Sequence, residues 1–291
     1  MPASLEKKSA CKVNLLLNIL GRRPDGFHDL ETILQPVQLH DALHFTRQAN
    51  GIELTCSDKS LPTDAGNLVH RAATSFLSQA GIHEGVRIHL EKRIPLAAGL
   101  GGGSGNAATT LLALNELFDQ PLAIPQLDVI AASLGSDVPF FLQDSPALAT
   151  GRGERVERLE PFPALKGAWL LLIHPGFGVA TAWAYKHLAR FPAAFNGEAG
   201  RAQRLLQLLR TPDFAVAGRE FYNSLEAPVL EKFPLLALFQ EFLRAQGVSV
   251  ALMSGSGSTT FALVRAEAVA RKLESQMQAK FGPCWTAVIA L

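Results

Sequence analysis

Between residues 12 and 20, apolar Val13, Leu15, Leu17 and Ile19 alternate with Lys12, Asn14 and Asn18, the period of two expected of a strand with one buried face. Lys12 and Asn14 therefore share a face. Pro24-Asp25-Gly26 ends the run, because proline presets the first turn dihedral and glycine tolerates a positive one. Val86, Ile88 and Leu90 alternate with Arg87, His89 and Glu91 in a second half-buried strand that stops before Pro95. The chain is glycine-dense from Gly99 to Gly105, and Asn106–Phe118 is rich in alanine and leucine with no breaker. That pattern predicts a glycine loop feeding the N-terminus of a buried helix. A shorter helix is expected over Leu127–Leu134, stopped by Gly135 and followed by a sharp turn at Ser136-Asp137-Val138-Pro139.

Beyond about residue 158 the pattern starts afresh, with an apolar strand over Trp169–Ile173 and helices near 201–210 and 229–246. Strands over Val248–Met253 and Thr259–Val264 flank a second glycine-serine loop, Ser254-Gly255-Ser256-Gly257-Ser258, and a helix near 267–280 precedes a last strand near 284–290. Strands split by helices, with one hairpin, predict an α+β fold. The working division is an N-terminal domain over 1–157 and a C-terminal α+β domain over 158–291, since a chain of this length exceeds one typical core. No internal repeat or low-complexity tract is visible.

Composition narrows the classes of function. Hydrophobic residues at 48% and charged residues at 18% suffice for a well-buried core and argue against extended disorder. With 27 basic against 26 acidic residues, there is no global field to draw nucleic acid or an anionic membrane, so any bound anion must be held locally. Cys11, Cys56 and Cys284 are odd in number and far apart, which suits reduced thiols better than a disulfide, zinc or redox pair. Lys7 and Lys8 ahead of Val13–Leu20 give a superficial likeness to a signal peptide, but Asn14 and Asn18 interrupt the run and Gly21-Arg22-Arg23-Pro24 follows it. No apolar run approaches the ~20 residues of a membrane span. The expectation is a soluble cytoplasmic protein, a monomer or weak homodimer, acting on a small molecule.

Gly99-Leu100-Gly101-Gly102-Gly103-Ser104-Gly105-Asn106-Ala107-Ala108 carries most of the chemical information. Glycines let backbone amides approach an anion, and the following helix adds unpaired N–H groups and about half a positive charge. Ser104 can contribute a hydroxyl, and Ala107 and Ala108 allow close packing of the helix start. A Walker loop would close on lysine and serine or threonine, where Asn106-Ala107-Ala108 stand instead. Gly103 to Ala108 fits the loose dinucleotide spacing, but the motif lies far from the chain start, Pro95 separates it from the preceding strand and no convincing acidic residue sits about twenty positions on. A flexible surface loop is the other reading of a glycine-serine cluster.

Lys12-Val13-Asn14-Leu15, then Pro95 to Ala108, then Ser254-Gly255-Ser256-Gly257 to Phe261 stand in the order of the three motifs of the GHMP kinases. The chain resembles that family along its whole length. Gly21-Arg22-Arg23-Pro24-Asp25-Gly26-Phe27-His28 and Gly135-Ser136-Asp137-Val138-Pro139-Phe140-Phe141 look like segments of the branch that phosphorylates a cytidine diphosphate derivative of methylerythritol in the non-mevalonate isoprenoid route. The resemblance implies two domains, with ATP and substrate in the cleft between them and the acceptor's 2-hydroxyl receiving the phosphoryl group. Other acceptors within the family, a nicotinamide-dependent oxidoreductase and a non-catalytic nucleotide-binding module are the competing readings.

The resemblance also assigns roles. Asp137 matches the aspartate that takes the hydroxyl proton, and Lys12 the lysine that lies beside it, where it would stabilise the transferring group. Pro95, Gly99, Leu100, Gly101, Gly102, Gly103, Ser104, Gly105, Asn106 and Ala107 would hold ATP, with Asn67 and Leu68 matching the adenine segment. Asn14 would bond the methylerythritol portion, while Phe27, His28 and Tyr185 occupy the positions that grip the cytosine, a base stacked between two rings and read at its edge. Two departures stand out: Gly105, where a second serine is common, and Phe27, where tyrosine is frequent. The eight histidines show no paired ligand spacing, so zinc is not expected and Mg2+ should arrive with ATP. Read without the family, Asp137 would be a helix N-cap, Lys12 and Asn14 the wet face of an edge strand, His28 a surface histidine and Tyr185 a core aromatic.

Overall fold

The structure is a computed structural model that describes residues 4–291. The chain forms two compact units, and neither is a single continuous segment. Among the described residues the first comprises 4–11, 39–95 and 101–144, and the second 12–38, 96–100 and 145–291. Strands β1 (Ser4–Arg22) and β2 (His28–Gln48) contribute residues to both.

In the first unit β3 (Ile52–Cys56) runs parallel to β4 (Gly85–Glu91), and β4 pairs antiparallel with the Ala42–Gln48 part of β2. Helix α1 (Leu68–Ala80) connects β3 to β4 and was not evident from the broader pattern, although its buried residues Val69, Ala72, Ala73, Phe76 and Leu77 follow helical spacing. Asn67 caps its first turn, and Gly81 ends it at a φ of 64°, a conformation that costs glycine little. Helix α2 (Gly102–Leu117) is buried nearly all round, and α3 (Ile124–Leu134) packs beside it before a short turn of helix at Pro139–Leu142. Phe45, Phe76, Ile88, Leu111 and Leu114 belong to the core these elements enclose.

The expected helix start at Asn106 is corrected to Gly102, so Gly102, Gly103 and Gly105 belong to the first turn of α2, while Gly99 and Gly101 stay in the loop ahead of it. Each glycine in a helix costs about 1 kcal/mol relative to alanine, which hid the turn from a propensity argument. The space explains their presence: a Cβ on Gly105 would lie 2.6 Å from the Ala10 carbonyl oxygen.

In the second unit β5 (Ala147–Gly151) pairs with the Leu30–Leu34 part of β2 and with β6 (Arg155–Arg158). After β7 (Trp169–His174) come α4 (Thr181–Leu188), α5 (Pro192–Phe195), α6 (Arg201–Leu209) and α7 (Phe214–Ala217). The two-residue strand β8 (Tyr222–Asn223) lies parallel to β1 at Leu16 and Leu17. The single helix expected over 229–246 is two, α8 (Glu226–Lys232) and α9 (Pro234–Ala245). Pro234 opens α9 at the position where a missing N–H costs nothing. The predicted hairpin is present as β9 (Val250–Met253) and β10 (Thr260–Val264), followed by α10 (Glu267–Phe281) and β11 (Trp285–Ala290). Four antiparallel strands in the order β11-β7-β10-β9, packed by α9 and α10, make a split β-α-β arrangement. Leu171, Ile173, Phe239, Met253 and Leu273 lie in its core.

The alternation over residues 12–20 is real, but β1 has no wet face there, since Lys12, Asn14 and Asn18 are all buried along with their apolar neighbours. Buried polar side chains must find partners, and those partners organise the site.

Candidate active site

In the second unit three segments far apart in sequence converge on one carbonyl. Lys12, only 3% exposed, donates from Nζ to the Gly99 carbonyl oxygen at 2.8 Å and to Asn14 Oδ1 at 2.6 Å. Ser254 Oγ donates to the same Gly99 oxygen at 3.0 Å and accepts from the Asn14 amide at 3.3 Å. The Lys12 amide bonds the Leu100 carbonyl. Asn14 Nδ2 donates to Thr32 Oγ1 at 2.9 Å, so Lys12 and Thr32 fix which way the Asn14 amide faces. No side chain fits between these groups: a Cβ on Gly99 would stand 2.0 Å from the Ser254 carbonyl oxygen, and one on Gly255 would stand 3.2 Å from Lys12 Nζ. Asn223 pins the 254–258 loop from behind, donating to the Met253 and Gly255 carbonyls at 2.8 and 2.7 Å.

The start of α2, in the first unit, has the backbone arrangement that can receive an anion. Gly101 takes a φ of 71° and turns the chain into the helix, whose first internal bond runs from the Gly105 amide to the Gly101 carbonyl at 2.9 Å. The amides of Gly102, Gly103 and Ser104 precede that bond and have no helix carbonyl to meet. Gly103 is exposed and Ser104 half-buried, and the first turn holds no acidic residue. A Cβ on Gly103 would meet only Leu68 Cδ1, at 3.7 Å, so the turn is open on that side. The same contact places Leu68 beside the loop. Asn67 spends its side chain on structure, accepting from the Val69 amide and donating to the Pro62 carbonyl.

Asn106, Leu100 and Ala107 are also buried, and Asn106 turns its amide to Ser9 and Asp41. Pro95 is half-buried at the entry to the run. At Gly105 the Cβ that a serine would bring meets the Ala10 oxygen at 2.6 Å and Ser9 Oγ at 3.0 Å. Main chain cannot swing aside, so Gly105→Ser should destabilise the protein by about 1–3 kcal/mol. It should also weaken nucleotide binding by displacing the first turn. Thermal melting and an ADP titration of the variant check this.

Asp137 sits half-buried in the turn before Pro139–Leu142, directly ahead of fully buried Val138. That short helix opens from Val138 with no side-chain cap, so the N-cap role open to Asp137 on sequence grounds is not the one it plays. Phe141 stacks edge-on with Phe140 at 4.9 Å and reaches the Gly105 position at 3.5 Å. The segment bearing Asp137 is thereby packed against the first turn of α2.

Of the three residues expected to grip the cytosine, the structure joins His28 and Tyr185, whose ring centroids are 5.2 Å apart. Phe195 adds an edge contact to His28 at 5.6 Å. Phe27 is 52% exposed, with the Arg152 guanidinium over its ring at 4.8 Å. Burial, with help from the positive charge of Arg22, lowers the pKa of His28 below its ordinary value. The ring is therefore neutral near pH 7 and offers one donor and one acceptor. Arg152 and Phe195 carry no sequence signal that ties them to Phe27 and His28; only the fold brings them together. Among the described residues no group of three or more His, Cys, Asp or Glu side chains is placed to hold a metal ion, and no helix is long and apolar enough to cross a membrane.

Comparison with known proteins matches residues 67–145 to the GHMP kinases N terminal domain and residues 205–282 to the GHMP kinases C terminal domain. A 4-diphosphocytidyl-2-C-methyl-D-erythritol kinase of Pelotomaculum thermopropionicum is 42% identical over 87% of this chain and 86% of its own. The enzyme of the same name from Geobacter metallireducens is 40% identical over 92% of both chains. A crystal structure of 4-(cytidine 5'-diphospho)-2C-methyl-D-erythritol kinase superposes with a TM-score of 0.81 at 36% identity, covering 99% of this chain and 100% of the other. A homoserine kinase from Cytophaga hutchinsonii shares the fold, with a TM-score of 0.77 at 20% identity over 100% of this chain and 96% of its own.

Proposed function

This chain belongs to the GHMP kinase family, and from that premise we infer that it transfers the γ-phosphoryl group of ATP to the 2-hydroxyl of 4-diphosphocytidyl-2-C-methyl-D-erythritol in the non-mevalonate isoprenoid pathway. The observation that carries the reading is the meeting of Lys12, Gly99 and Ser254 at one carbonyl, which gives three distant motifs a common physical purpose. Membership in a family of small-molecule phosphotransferases that use ATP displaces the oxidoreductase and the non-catalytic binding module. Relatives about 40% identical over most of the chain favour this acceptor over the other substrates of the family.

Phosphoryl transfer asks little covalent chemistry of a protein and much alignment and charge stabilisation. The amides of Gly102, Gly103 and Ser104 hold phosphate oxygens, with Leu68 against the base. ATP, arriving with Mg2+, supplies the activated phosphoryl group. Asp137 accepts the proton of the acceptor hydroxyl at a carboxylate oxygen. Lys12 brings a positive charge already oriented by Asn14 and Gly99, so no reorganisation is needed as charge spreads in the transition state. Asn14, held by Thr32, presents a fixed amide to the methylerythritol portion. Tyr185 and Phe27 offer ring faces to the cytosine, and neutral His28 matches a base edge that carries both donor and acceptor. The protein acts in the cytoplasm, as a monomer or weak homodimer.

Initial-rate ADP release with three acceptors tests the assignment. Fast release is expected with 4-diphosphocytidyl-2-C-methyl-D-erythritol and background rates with mevalonate and homoserine. Equal or faster release with either of the last two overturns it.

A further inference from the structure

Behind the first turn of α2 lies a buried charged hub with no place in the chemistry above. Asp41 is fully buried, yet its carboxylate is saturated with donors. Oδ1 accepts from the backbone amides of Arg93 at 2.7 Å and Ile94 at 2.9 Å. Oδ2 accepts from Asn106 Nδ2 at 2.9 Å and from the Lys92 ammonium, whose side chain is only 6% exposed. Lys92 also donates to Asn106 Oδ1 at 3.3 Å, and Asn106 donates to Ser9 Oγ at 3.0 Å.

The placement of these bonds is what matters. Arg93 and Ile94 stand immediately before Pro95, and Asn106 immediately follows Gly105. One carboxylate therefore ties down the chain on both sides of the glycine run. Lys92 Nζ and Ile94 Cγ2 also come within 3.3 and 3.1 Å of the position a Cβ would take on Gly102, so the first turn of α2 rests directly on this hub. Glycine has the most conformational freedom to lose, and a run of it has no side chains with which to order itself. An anion that must freeze such a run binds weakly, whereas one that meets it already formed does not bear that cost. A neutral acceptor would not serve here. The Lys92 ammonium lies beside the positive end of α2, and only an anion balances it while accepting four donors at once.

We propose that Asp41 is a positioning residue for the kinase reaction: through Lys92, Asn106 and the Arg93–Ile94 amides it presets the glycine-rich first turn of α2 for the phosphates of the nucleotide. The proposal rests on the reading of that turn as the nucleotide phosphate site. Asp41→Asn puts an amide nitrogen among four donors and must break part of the hub. Replacing Lys92 as well, in Asp41→Asn/Lys92→Met, lets the Asn106 amide flip and pair with the new asparagine.

The test is amide hydrogen exchange of the free protein, read peptide by peptide, together with titration by ADP in the absence of acceptor. In Asp41→Asn, exchange over 99–105 should rise and ADP affinity fall, each about tenfold. Strand segments Val86–Leu90 and Leu170–Ile173 should exchange as in the wild type. The double variant should recover both properties at least in part. Exchange over 99–105 and ADP affinity both within about twofold of wild type overturn the proposal. So does faster exchange spread evenly over the whole first unit, which marks a merely structural role. If Asp41→Asn does not fold, Asn106→Ala decides by the same two criteria, since it frees the helix side of the hub and leaves the Asp41–Lys92 pair in place. A failed acceptor assay counts against the reaction, and a wild-type exchange pattern in the variants counts against the positioning role, so the two failures are told apart.

Discussion

Asp137→Asn lowers turnover by about 10²–10⁴-fold, the range a positioned general base contributes, while ADP still binds as it does to the wild type. The substitution is nearly isosteric, and Val138 and Phe140, both buried and both following Asp137, keep the turn in place. Phe141 continues to pack at the Gly105 position, so the phosphate-binding turn is not disturbed. What is lost is the capacity to take a proton, because an amide oxygen is far too weak a base. The loss should therefore appear in kcat, with the KM for ATP little changed. Steady-state kinetics with an ADP titration separate the two. Turnover close to wild type removes Asp137 from the chemistry.

Lys12→Met is expected to do two things at once. Loss of a preorganised charge that acts in the transition state costs about 10²–10³-fold in kcat. Loss of the ammonium also withdraws a donor from Asn14 Oδ1 and from the Gly99 carbonyl, both in a buried setting, at about 1–3 kcal/mol for each acceptor left unpaired. Ser254 still bonds the Gly99 carbonyl, so the stability loss should lie toward the lower end. Arginine should not rescue either property. The Gly255 backbone passes close to Nζ, near enough that an added Cβ would stand only 3.2 Å from it, and a planar guanidinium needs more room than a point-like ammonium. Thermal melting together with kcat measures both effects. A variant that melts early and keeps wild-type kcat assigns Lys12 to the scaffold alone.

How far the sequence anticipated this molecule depended on whether a signal was local. The β9–β10 hairpin, the final helix and strand and the core of α2 follow from periodicity within a short window. Strand β2 did not, because Pro36 interrupts it and proline argues against a central strand. In the fold Pro36 falls between the stretch that pairs with β5 and the stretch that pairs with β4. Helix α1 has a legible N-cap in Asn67 and a legible stop in Gly81, but Asn67-Leu68 also matches the family's adenine segment, and one asparagine carries both signals. The division of α8 from α9 at Pro234 was open to a propensity argument.

Site residues divide the same way. Lys12, Asn14, the glycine run and Asp137 stand in short motifs that a family resemblance can find. Asp41 and Lys92 do not: each is one ordinary charged residue in a strand-rich stretch, and only pairing of β2 with β4 brings them together. Arg152 over Phe27 and Phe195 against His28 are likewise products of tertiary structure. The burial of Lys12 and Asn14 was hidden as well, since alternation places side chains on a common face without saying what covers it.

Phosphorus NMR of the reaction of ATP with 4-diphosphocytidyl-2-C-methyl-D-erythritol, followed to completion, bears most directly on the whole account. It should show one new phosphomonoester resonance growing in step with ADP while the acceptor's own diphosphate signals persist. ADP accompanied only by free phosphate, or an acceptor left unchanged, would contradict it.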